Sequence, residues 1–72
     1  MRWFGPRYPE RRRVVVNTTN DESFRGVLWE TTGEYLLLKS AELLREHAEP
    51  VSVDGEVLIY RPQVLWLQVL YE

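Results

Sequence analysis

The 72-residue chain contains no cysteine, which excludes disulfides and thiolate metal sites. Its one histidine, His47, excludes a histidine metal cluster and a proton-shuttling histidine pair. Apolar runs are short. None exceeds four residues, as at Val64 to Leu67, against roughly 20 for a membrane-spanning helix. The segment "MRWFGPRYPERRR" is basic, but no apolar signal core follows it. Both absences predict a cytoplasmic protein with no membrane partner. Lysine is scarce as well, one against eight arginines; the bias suits a GC-rich coding genome, bacterial or phage, and host cytoplasm in the latter case. The chain has no phosphate-cradling loop and no dinucleotide fingerprint. Ser23, Ser40 and Ser52 stand in no recognisable nucleophile context beside His47. Catalysis is not expected, nor is a cofactor or a metal. Glu42, Glu46 and Glu49 read as a solvated flank.

What is present begins with a charge split. Residues 1 to 13 carry five arginines (Arg2, Arg7, Arg11, Arg12, Arg13) against Glu10, a net +4. Residues 14 to 72 carry four basic and ten acidic side chains, a net −6, and the two sum to the overall −2. A basic arm on an acidic body often marks an interaction tail. Its partner is either nucleic acid or the acidic body of a neighbouring copy. Pro6 and Pro9 argue against a helix there, so residues 1–10 read as an extended arm with Trp3, Phe4 and Tyr8. Residues 11–72 read as one domain. A chain this short buries only ~60% of its extended surface, so oligomerisation is the expected further source of stability.

Within the body the pattern is β. "RVVVNT" (13–18) is a β-branched run, and "TNDE" (19–22) is a turn built on Asn20 and Asp21. "SFRGVLWE" (23–30) alternates, Phe24 and Leu28 on one face, Arg25, Val27 and Trp29 on the other. Gly26 falls mid-strand on the Phe24 face, where glycine marks a bend or a close backbone approach. "TTG" is a turn and "EYLLLKS" the next strand. "AELLREHAE" (41–49) either extends that strand or forms a two-turn helix capped by Ser40 and ended by Pro50; the cap and the stop favour the helix. Asp54-Gly55 between β-rich flanks is the strongest hairpin signal in the chain. Pro62 then precedes a last strand, "QVLWLQVL". Trp29 and Trp66 read as core or interface anchors. Five strands with short turns and a bend at Gly26 predict an all-β, strongly bent open barrel, with one short helix between strands 3 and 4 as the variant.

These residues resemble a known family. "FRGVLWETTGEYLLLKSA" is similar to the first signature of the Sm/Lsm proteins, in which Phe-x-Gly-x-Leu leads through a turn into a leucine-rich strand. "GEVLIYRPQVLWLQVL" resembles the second, and together the likeness spans roughly residues 11 to 70. It implies a five-stranded open barrel that closes into a homo-oligomeric ring, hexamer or heptamer, the fourth strand of one copy pairing with the fifth of the next. "VLIY" and "VLWLQVL", apolar on both faces, suit such an interface. The resemblance also implies RNA held by loops at the ring pore. Here Tyr35 stands where the family has its base-reading Asn, Tyr60 in place of the Arg, and Arg61 in place of the Gly. The expected nucleic-acid contacts are therefore Tyr35, Tyr60 and Arg61 at the pore, with Arg11, Arg12, Arg13 and Trp3 from the arm, binding RNA or single strands by stacking and phosphate pairing. The alternative is a structural or assembly ring that docks other proteins and no longer reads RNA. A monomeric SH3-like peptide binder is a third reading.

Overall fold

The valine run at 14 to 16 lies in β1 (Arg12–Thr18) of the computed structural model, which describes residues 11–71. Alternation does what the sequence implies: Val14, Val16 and Thr18 face inward and are buried, while Arg13, Val15 and Asn17 face out. β2 (Ser23–Thr31) pairs antiparallel with β1, and β3 (Tyr35–Leu44) with β2. β4 (Val51–Ser52) and β5 (Val57–Tyr60) both pair with β3, and β6 (Val64–Val69) pairs with β1. The result is one open antiparallel sheet in which β4 and β5 share one edge and β6 forms the other. Val14, Val16, Leu28, Leu36, Leu38, Ala41 and Ile59 make the core. The fold is all-β, as expected.

The bend is built from two register slips. Opposite Gly26, β3 inserts an extra residue between Lys39 and Glu42, and Ser40 takes φ 52° there; β2 inserts Trp29 between Leu28 and Glu30. Bulges of this kind kink a strand and raise its twist. Gly26 is buried at the first of them, where a Cβ would stand 3.0 Å from the Lys39 carbonyl oxygen. The glycine is therefore a close-approach residue, as the sequence suggested.

Two local expectations fail. Ser40 is a bulge residue, not a helix cap, and β3 runs on through Leu44, with residues 45–50 following as a non-helical loop. A two-turn helix is far below the length at which helices hold by themselves. Continuing the strand buries Ala41 against the core and lets Glu42 meet Arg25 (Nη2 to Oε1, 2.6 Å).

Asp54-Gly55 likewise makes no hairpin. β4 and β5 do not pair with each other; they lie end to end along β3, Glu42 facing Ser52 and Leu38 facing Val57. Residues 53 to 56 thus face only 39 to 41, and the extra residue is absorbed as a bulge with Gly55 at φ 79°. The sheet therefore has six strands where five were expected, Val51–Ser52 being a short extra strand on β3. The reason is competition: β3 offers ten residues of ladder, which a local two-residue turn would leave unpaired. Gly55→Ala should cost about 1 kcal/mol, the left-handed penalty for a residue with a Cβ, although open space surrounds the position. A lowered urea midpoint at unchanged slope would show it.

The connections use side-chain hydroxyls. Thr18 Oγ1 accepts from the Asn20 and Glu22 amides and donates to the Glu22 carbonyl, while Asp21 takes φ 66°. Thr32 Oγ1 accepts from the Glu34 and Tyr35 amides. A 3-10 turn, Arg61–Gln63, carries the chain from β5 to β6 across the open side of the sheet. Its ends are tied by Arg61 N–H to the Glu34 carbonyl (2.8 Å) and by Thr19 N–H to the Gln63 carbonyl (2.9 Å).

Candidate nucleic-acid interface and free edges

The expected contact residues fall into two groups. The first gathers where β3 begins and β5 ends. Tyr35 and Tyr60 are cross-strand partners; Tyr35 is half-buried and Tyr60 is 55% exposed. A recess of about 460 Å³ beside them is lined by Gly33, Glu34, Tyr60 and Pro62. The Tyr60 ring offers a stacking face, and Glu34 gives the recess a negative wall. Arg61 Nε donates to the Thr32 carbonyl at 2.6 Å. That bond pins the β2–β3 turn to the β5–β6 turn, so Arg61 works at least partly as a clamp between the two loops.

The second group centres on the start of β1. Arg11 stacks its guanidinium on the Trp29 indole (3.9 Å to the ring centre), and its Nε donates to the Trp29 carbonyl (3.3 Å). Lys39 Nζ lies 4.3 Å from the same ring and 3.7 Å from Glu56. Arg12 lies 4.9 Å over Tyr71. Arg13 projects from the same strand opposite Val27 and is itself engaged. Arg11 and Lys39 thus converge on Trp29, while Arg12 rests separately on Tyr71 at the same end of the sheet. Such contacts contribute about 0.5–1 kcal/mol each when exposed. The ring contacts leave the guanidinium charges of Arg11 and Arg12 in place, whereas Lys39 is also paired with Glu56. Trp3 lies outside the described residues.

Sequence reasoning missed Lys39 and Tyr71, and it placed Trp29 among core or interface anchors. Trp29 is half-buried and covered by two cations. The usable signal was its strand phase, shared with Arg25 and Val27. The juxtaposition with Lys39 depends on the two bulges, which no local pattern announces.

The sheet edges form the third feature. Arg61 N–H bonds the Glu34 carbonyl, so by ladder alternation Leu58 and Tyr60 turn their peptide groups away from β3. Leu70 N–H bonds the Arg13 carbonyl, and the same alternation turns those of Leu67 and Val69 outward from β6. The large apolar side chains that remain exposed are Val51, Leu58, Tyr60, Leu65, Trp66 and Tyr71. All lie on β4, β5 or β6 or just beyond. Edges that are apolar and, among the described residues, unpaired invite another strand.

Among the described residues no three His, Asp or Glu side chains converge as a metal ion would need, and no helix is long and apolar enough to cross a membrane. Compared with known proteins, the chain matches no family model, no curated protein and no solved structure.

Proposed function

We propose that this chain is the subunit of an Sm-like homo-oligomeric ring that binds RNA or another single-stranded nucleic acid. The observation that carries the reading is that, among the described residues, the exposed large apolar side chains are confined to two unpaired edges on opposite sides of one open sheet. An edge that pairs with the opposite edge of the next copy makes a heterologous contact, and such contacts close into rings when the rotation allows. β5 of one copy would meet β6 of the next. Arg11, Arg12, Arg13 and Lys39 supply phosphate contacts, and Tyr60 and Tyr71, both exposed, supply stacking faces. Each subunit binds weakly and the ring sums the contacts, because later ones are intramolecular.

A second reading, an assembly ring that docks proteins, draws on Arg61 and Glu34. The guanidinium is tied to a carbonyl and the recess beside Tyr60 carries a carboxylate, both of which weaken phosphate binding at the pore.

Native mass spectrometry on protein purified without nuclease separates the readings. A ring-sized oligomer carrying nucleic acid is expected, with the nucleic acid lost as salt rises. Four phosphate contacts per subunit give a log-log salt slope near −3, at about −0.7 per contact for single strands. A ring free of nucleic acid at low salt supports the assembly role, and a bare monomer overturns both.

A further inference from the structure

The recess where β3 begins and β5 ends has one carboxylate, one exposed aromatic ring and no cation among its lining residues, Gly33, Glu34, Tyr60 and Pro62. Main-chain bonds fix its walls to each other. Glu34 N–H donates to Thr32 Oγ1 at 3.0 Å, and the Glu34 carbonyl accepts at 2.8 Å from the N–H of Arg61, the residue after Tyr60. The carboxylate and the ring therefore project from backbone held in one arrangement. Among the described residues Glu34 takes part in no ion pair, so both of its oxygens remain acceptors. Packing does not demand glycine at 33: its φ is not left-handed, and a Cβ there would meet no described atom within 4 Å. What the missing side chain does is leave the recess open.

We propose that this recess takes a guanine base of the bound strand, stacked on Tyr60 and read by Glu34. The assignment rests on the nucleic-acid reading above and names the base it prefers. The carboxylate repels phosphate, so the part of the strand that enters is a base. Stacking by itself accepts any base, and discrimination falls to Glu34. An unpaired base shows its Watson–Crick edge. Two carboxylate oxygens side by side match two neighbouring donors, and guanine alone has them there, N1–H and the N2 amino group. Adenine and cytosine set one amino donor beside a ring-nitrogen acceptor. Uracil sets one N–H between two carbonyl oxygens. Each of these three brings an acceptor against the carboxylate, a repulsion that selects against the wrong base as strongly as a bond selects the right one.

Fluorescence anisotropy of the full chain with labelled RNA pentamers, UUXUU, tests the assignment. With guanine at X, binding should be about tenfold tighter than with uracil, the scale of a bidentate base contact. Inosine, which lacks the N2 amino group, should fall between. Glu34→Gln replaces one acceptor by a donor and should erase the preference. Gly33→Leu should erase it too, by filling the recess, at an unchanged thermal midpoint. Equal affinity for all four bases, preference for another base, or a guanine preference that survives Glu34→Gln would overturn the assignment and leave the nucleic-acid reading standing. Binding to none of the pentamers would overturn both, and Glu34-dependent binding of an arginine-rich peptide in their place would give the recess to a protein partner.

Discussion

Gly26→Val is expected to remove a large part of the stability of the domain, about 3 kcal/mol or more. A Cβ at this position would stand 3.0 Å from the Lys39 carbonyl oxygen and 3.1 Å from Ala41 Cα. Both are backbone atoms of the adjacent strand, so neither can swing aside as a side chain would. The strand has little room to retreat, because Ala41 is buried and Ser40 beside it already holds a left-handed φ. Overpacking by a methylene or two costs about 1–3 kcal/mol, and valine adds three carbons against main chain. A domain of 72 residues has in all only about 4–11 kcal/mol, at ~0.05–0.15 per residue. Urea unfolding followed by circular dichroism measures the loss, with Gly26→Ala falling between the valine variant and the parent. Intrinsic preference runs the other way, since valine favours strands and glycine does not. A Gly26→Val protein as stable as the parent would therefore show that the close approach is not what demands glycine.

If the proposed ring forms through β5, Leu58→Lys is expected to leave folded monomers. Leu58 is 48% exposed at the free edge of β5, so within a monomer the change is a surface substitution worth about 0.5 kcal/mol or less. Within a strand-to-strand interface the same ammonium would be buried without a partner, a penalty of several kcal/mol per ion. The penalty recurs at every joint of a ring. Lysine on an edge strand is also a common device against edge pairing. Native mass spectrometry should then report the subunit mass, while the thermal midpoint of the isolated subunit hardly moves. An oligomer that survives the substitution would place the interface elsewhere, and nucleic-acid binding would need another source of multivalency.

The two predictions probe different levels. Gly26 was legible because the chain places one glycine in the buried phase of an otherwise bulky strand. The apolar edges were half legible. "VLIY" and "VLWLQVL" read as apolar on both faces, but only pairing order shows that β5 and β6 are the strands left with an open side. Of the residues proposed as nucleic-acid contacts, Tyr35 and Tyr60 are cross-strand partners and Arg61 follows Tyr60. The tie from Arg61 to Thr32 spans the distance between two turns and has no signature in sequence. Arg11 to Arg13 were read as an electrostatic run contacting nucleic acid or the acidic body of a neighbouring copy. In the fold Arg11 and Arg12 rest on aromatic rings from β2 and the C-terminal end.

The sequence by itself determined the class of this protein: an all-β domain of alternating strands with turns at 19–22 and 31–33 and a bend at Gly26. These follow from period-two burial and from backbone chemistry, both of which act over a few neighbouring residues. Tertiary structure decided which of two locally permitted states each remaining segment takes. Residues 41–44 stay in a strand because β2 is there to receive them, and Asp54-Gly55 becomes a bulge because β3 outcompetes a hairpin. The Trp29 cluster exists because two bulges bring Lys39 to it. In each case the deciding partner is distant in the chain, and local preference, small beside a row of backbone pairs and a buried side chain, yields to it.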